Sequence, residues 1–231
     1  MKLQLPSAAN SVQINKLSNS INQATLSLIT LLLPISVIMF FIGQPLAQLL
    51  FARGAASVAE ARSTGFLLSI FVVGLVPFSL FYLLLRGFYA MEDTKTPFFI
   101  NIILNIINLF VAIYFFNVLD EEFKVAGLVI GYVTSYLLST PVLWIFLNKK
   151  GLNLKSWNLI KDTFKPIFAS FIMLICLFVI GSTFSIFDST STYSALLQVI
   201  IWGISGSIIY FVLSFIFKIK LVTNYASKIF K

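Results

Sequence analysis

Histidine is absent from this sequence, and cysteine occurs once, as Cys176 inside an apolar run. These absences exclude a disulfide framework, a Cys/His zinc site and histidine-based acid–base chemistry. Charge is scarce too: 10% of the 231 residues are Asp, Glu, Lys or Arg, where a soluble domain has about 25%. The first 23 residues lack a basic stretch followed by an apolar one, so they do not read as a secretory signal.

What the chain does have is hydrophobic, at 59%. A helix needs roughly 20 apolar residues to cross a hydrocarbon core of about 30 Å. Six segments meet that length: Ala24–Phe51, Thr64–Leu85, Pro97–Leu119, Val125–Leu147, Pro166–Phe184 and Tyr193–Phe217. None contains Lys, Arg, Asp or Glu. They are continuously apolar rather than alternating, which argues against a barrel. The expected fold is all-α: a polytopic membrane protein of six transmembrane helices.

Basic residues set the orientation. Counting alternate sides from the N-terminus, one side receives thirteen of them: Lys2, Lys16, Arg86, Lys95, Lys149, Lys150, Lys155, Lys161, Lys165, Lys218, Lys220, Lys228 and Lys231. The other receives three, Arg53, Arg62 and Lys124. The richer side is expected in the cytoplasm with both termini. The net charge of +8 is therefore read as facing anionic membrane lipids, with no nucleic-acid partner. An embedded transferase needs acids, histidine or a metal at the interface. The cytoplasmic side offers only Glu92, Asp93 and Asp162, so the chain is not expected to be an enzyme.

The expected divisions are a cytoplasmic interfacial segment at 1–23, a four-helix membrane part at 24–147 and a cytoplasmic loop at 148–165. Two further helices at 166–217 and a basic tail at 218–231 complete the chain. Within the first segment, Ser11–Gln23 is weakly amphipathic, either a helix lying on the surface or a disordered lead-in. The loop Asn148–Asp162 has a similar interfacial look, with Leu152, Leu154, Trp157 and Leu159 interleaved with Lys. Pro34, Pro77 and Pro141 fall inside spans and should kink them where neighbours satisfy the freed carbonyls. Gly127 with Gly131, and Gly203 with Ser207, have the small-xxx-small spacing of close helix packing. Asn101, Asn105 and Asn108 are expected to hydrogen-bond between helices.

The most informative stretch is Arg86-Gly87-Phe88-Tyr89-Ala90, followed by Asp93-Thr94-Lys95-Thr96-Pro97. It is a short cytoplasmic connection. Arg86 sits at the negative end of one helix dipole, and Thr96-Pro97 forms an N-cap with proline after it. Asp93 either pairs with Arg86 or caps the turn. On chemistry alone this is a rigid turn.

The same stretch resembles the signature of the MurJ/MviN lipid II flippases, members of the multidrug/oligosaccharidyl-lipid/polysaccharide exporter superfamily. Leu5-Pro6-Ser7, Pro34, the external-loop motif Leu49–Ala55 with Arg53 and Gly54, and Ala126-Gly127-Leu128 agree with it in order and spacing. The resemblance covers essentially the whole chain and aligns it with the last six of about fourteen spans. Residues 24–147 then resemble the second half of the C-terminal lobe of that transporter fold, and the last two helices an apolar wall for a lipid tail. It implies translocation of lipid II, or a similar undecaprenyl-pyrophosphate lipid, across the bacterial cytoplasmic membrane. The missing N-terminal helices, where the family's cavity arginines lie, are the implied partner. A related polysaccharide-lipid or drug exporter and a non-transporting assembly subunit are the alternatives. Some members carry a sodium site; the matching positions here are Asn108 and Thr134, with Ala112 where a carboxylate stands in those members. No other cofactor is implied.

Overall fold

A computed structural model of the chain describes residues 8–52, 57–154, 157–183 and 191–223. The elements are α1 (Ala8–Phe51), α2 (Val58–Phe71), a 3-10 turn (Val72–Gly74), α3 (Leu75–Ala90), α4 (Lys95–Val118), a second 3-10 turn (Glu121–Phe123), α5 (Lys124–Lys149), α6 (Trp157–Thr183) and α7 (Thr192–Ile216). The segment from α2 to α3 forms one apolar crossing, so among the described residues six helices are long and apolar enough to cross a membrane. The architecture is all-α, with the six crossings alternating in direction along the chain. α1 packs against α2, α3, α6 and α7, while α4 lies mainly on α5. Large apolar side chains such as Phe98, Phe110, Phe178 and Ile216 point outward, as a lipid-facing surface requires.

Three boundaries differ from those expected. α2 begins at Val58 because Ser57 and Glu60 form a capping box: Ser57 Oγ accepts the Glu60 N–H at 3.2 Å, and Glu60 Oε2 accepts the Ser57 N–H at 2.8 Å. A cap, not apolarity, fixes that start. α6 likewise begins before Pro166, at Trp157. Ser11–Gln23 is neither a separate surface helix nor a disordered lead-in; it is the first part of α1, which runs for 44 residues, roughly 66 Å. Ser18 and Ile21 are buried against the bundle, and that packing holds a polar sequence helical.

Two glycine contacts set helix spacing. Gly43 on α1 and Gly65 on α2 meet backbone to backbone; a β-carbon at Gly65 would fall on Gln44 Cα and within 2.6 Å of the Gly43 carbonyl oxygen. Gly127 and Gly131 lie directly on Phe115 and Ala112 of α4. Gly203 meets nothing within 4 Å, and Ser207 donates to the Gly203 carbonyl of its own helix, so that pair does not serve close packing. Asn101 and Asn105 also turn inward on their own helix, donating to the carbonyls of Pro97 (3.0 Å) and Asn101 (2.8 Å). Their amides are satisfied locally and not between helices.

The prolines are accommodated differently. α1 runs through Pro34 and Pro45, and α5 through Pro141. Pro34 cannot donate to the Thr30 carbonyl four residues back. That carbonyl instead accepts the Tyr210 hydroxyl of α7 at 2.7 Å. Pro77 follows the 3-10 turn, and its own carbonyl accepts Thr140 Oγ1, beside Pro141, at 2.9 Å. Tyr210→Phe should strand the Thr30 carbonyl and lower stability by about 1–3 kcal/mol. Equilibrium unfolding in mixed micelles measures it, with the half-exposed Tyr89 changed to Phe as the control expected to stay within about 0.5 kcal/mol.

Candidate functional site

The C-terminal ends of α3, α5 and α7 and the N-terminal ends of α1, α4 and α6 lie together. Lys16, Arg86, Lys95, Lys149, Lys150, Lys165, Lys218 and Lys220 belong to this basic end, and Arg62 and Lys124 to the opposite one.

All three helices that finish at the basic end close in the same way. The N–H groups of Glu92 and Asp93 return to the carbonyls of Tyr89 and Phe88, each at 3.0 Å. Those of Gly151 and Leu152 return to Asn148 and Leu147, and those of Lys218 and Ile219 to Phe215 and Ser214. This is the Schellman pattern, with the penultimate donor in the left-handed region: φ is 58° at Glu92, 95° at Gly151 and 52° at Lys218. Gly151 takes that angle freely, whereas Glu92 and Lys218 each hold it at a cost of roughly 1 kcal/mol. The next residue is a buried apolar one after α5 and α7, Leu152 and Ile219, each 2% exposed. After α3 it is Asp93.

Asp93 is held from two sides. Its Oδ1 accepts the Thr96 N–H at 3.1 Å, and its Oδ2 is ion-paired with Lys150 Nζ from the turn after α5. Lys150 also lies 5.9 Å from the centre of the Phe88 ring. Asp93 therefore caps α4, which starts at Lys95 with Pro97 in its first turn. Thr96 is not the cap, and the partner of Asp93 is Lys150, 57 residues away, and not Arg86, which is exposed on α3. Burial pushes the Asp93 carboxyl up, but the hydrogen bonds from Lys150 and Thr96 outweigh it and bring it to about 2.

A carboxyl lowered from its ordinary 3.8 contributes stability that is complete above pH 4 and lost as pH falls toward 2. Asp93→Asn should abolish that part of the acid transition and cost about 1–2 kcal/mol at neutral pH, through the lost cap and ion pair. Unfolding curves of both proteins between pH 2 and 7 measure it; parallel pH profiles would contradict it.

Behind this turn the basic end is sealed by a hydrophobic core. Ile21 of α1, Leu84, Leu85 and Phe88 of α3, and Leu143 and Leu147 of α5 surround Leu152 and Leu154. Of the segment expected to lie in the interface, residues 148–154 instead fold against the bundle. Asn153 N–H donates to Ser18 Oγ at 3.0 Å, Asn22 donates to the Asn153 carbonyl at 3.0 Å, and Asn148 Oδ1 accepts the Leu154 N–H at 3.0 Å. Gly87 of the signature stretch is small for this reason, since a β-carbon there would lie 2.8 Å from Ile21 Cδ1. Lys220 and Asp162 tie α7 to α6 at the same end, 2.8 Å apart.

The opposite end is open. Two cavities of about 350 and 330 Å3 meet there, and Gln44, Arg62 and Phe66 line both. Arg62 escapes a sequence reading because it precedes the apolar span; the capping box at Ser57 is the signal that starts the helix early enough to carry it. Arg53 and Gly54 of the external-loop motif lie outside the described residues.

The positions implied for sodium lie half-buried on α4 and α5. Gly131 packs on the Asn108 carbonyl and on Ala112 between them, so the carboxylate position is a methyl group pressed against a neighbouring helix. The charged ligand that the resemblance implies for a sodium site is therefore absent here.

A lipid II flippase family model, described as "Lipid II flippase MurJ", matches residues 4–219. The chain belongs to this family. Relatives named probable lipid II flippase MurJ include one from Buchnera aphidicola, 27% identical over 76% of this chain and 33% of its own length. Another, from Rhizobium tropici, is 29% identical over 73% of this chain and 32% of its own. The lipid II flippase MurJ of Thermosipho africanus is 23% identical over 94% and 43%. The chain thus spans about a third of the first two relatives. Family and helices together make it a multi-pass bacterial membrane protein.

Proposed function

We propose that this MurJ-family chain forms the C-terminal six-helix part of a lipid II flippase, which carries an undecaprenyl-linked peptidoglycan precursor between leaflets by alternating access. The observation that carries the reading is the family match over residues 4–219. The basic end faces the cytoplasm, with both termini, in keeping with the thirteen-to-three distribution of basic residues. The core there joins α1, α3 and α5 at the cytoplasmic end, and the cavities lie at the opposite end. The protein positions its substrate and performs no bond chemistry.

A pyrophosphate within the bilayer needs compensating cations, and the six apolar spans contain no charged residue. Those cations must come from the remaining helices of the transporter, the partner this reading requires. The test is a chimera in which this chain replaces the matching part of a relative, expressed in cells depleted of their own flippase. Restored growth and cell shape are expected. A chimera that reaches the membrane intact and fails to restore them would contradict the reading.

A further inference from the structure

The cavities at the open end are not explained by close packing. Gln44 of α1 and Arg62 and Phe66 of α2 form the wall they share, and Gln198 of α7 reaches the second. The Gly43–Gly65 contact brings α1 and α2 together beside this wall.

Arg62 is half-buried, yet no ion pair or hydrogen bond joins it to another of the described residues. Two carboxylates at this end, those of Glu60 and Glu121, are committed elsewhere. Glu60 holds the backbone and hydroxyl of Ser57 at 2.8 and 2.9 Å, Glu121 pairs with Lys124, and Asp120 makes no ion pair. Gln44 is likewise without a hydrogen-bond partner among the described residues. A guanidinium and an amide left open on one wall supply N–H donors of the kind that take a phosphoryl group in charge-assisted contacts. Phe40, Leu67 and Ile70 add apolar surface to a lining that also holds Gln48 and Ser69. Phe40 and Phe66 are 46% and 37% exposed, so the cavity has an accessible aromatic side that suits acyl chains.

We propose that Arg62 and Gln44 form a binding site for the phosphate of an anionic membrane lipid, at the end of the bundle opposite the basic one. Arg62 supplies the charge, Gln44 a second donor, and the phenylalanines the surface along which the lipid's chains lie. The site needs only this chain and does not depend on which lipid the whole transporter moves.

The test is native mass spectrometry of the chain in detergent, titrated with phosphatidylglycerol and, separately, with phosphatidylcholine. A bound phosphatidylglycerol is expected, with affinity falling about tenfold in Arg62→Gln, the scale of one charge-assisted contact. Arg62→Lys keeps the charge and loses the fork, so it should bind between wild type and Arg62→Gln, which separates loss of the charge from loss of fold. Lys124→Gln removes the same charge at the same end outside the cavity and should change nothing. Competition by millimolar inorganic phosphate would show that the phosphoryl group alone is recognised; no competition would show that the chains are needed, and either agrees with the site. Equal binding by wild type and Arg62→Gln, or an equal loss in Lys124→Gln, would overturn it.

Discussion

Gly65→Val is expected to force α2 away from α1 and to destabilise the chain by about 3 kcal/mol, at the upper end of what overpacking costs. A β-carbon at Gly65 meets Gln44 Cα, the Gly43 carbonyl and, at 2.9 Å, the Gln44 N, all backbone atoms. No rotamer change can relieve a clash with backbone, so the helices must separate along their length. Apart from the Ser69 hydroxyl, which donates to the Phe40 carbonyl at 3.0 Å, little polar bonding holds this crossing together. Gly203→Val is the matching control, because nothing lies within 4 Å of its β-carbon. Equilibrium unfolding of both variants in mixed micelles decides the matter. Comparable losses in both would mean that valine harms these helices by some route other than helix contact.

Leu154→Asp should have an effect at least as large. Leu154 has no exposed surface and sits with Leu152 among Leu84, Phe88, Leu143 and Leu147. Truncation of a buried leucine costs about 2–5 kcal/mol, and a carboxylate in its place adds a desolvation penalty with no cation in the core to offset it. The loop should leave the bundle and release Ser18 and Asn22 of α1. Limited trypsin digestion of reconstituted protein reports this as cleavage after Lys149 and Lys150 faster by about tenfold or more. Asn153→Asp changes an exposed neighbour and should leave cleavage as it is. An unchanged digestion pattern in Leu154→Asp would mean that the seal is not what holds the loop.

The six crossings were legible because hydrocarbon thickness imposes a length and composition that sequence displays directly. The turn after α3 was legible as a turn for the same local reason: Asp93, Thr96 and Pro97 lie within a few residues of one another. The partner of Asp93 was not, since Lys150 is brought to it only by the packing of α3 on α5. Leu152 and Leu154 alternate with polar residues, a pattern that a membrane surface and a buried loop produce equally. Gly43 and Gly65 stand in different spans, so no spacing rule within one helix connects them. Arg62 reads in the sequence only as a charge of a connecting segment, because apolarity starts later than the helix does.

The most direct measurement of the central proposal is lipid II exposure on the far leaflet of liposomes. One preparation holds this chain alone, and a second holds it together with a polypeptide carrying the remaining helices of a relative. No translocation is expected from the first and measurable translocation from the second, because the proposal assigns the cations for the pyrophosphate and the opposing lobe to the remaining helices. Robust translocation by this chain alone would contradict it.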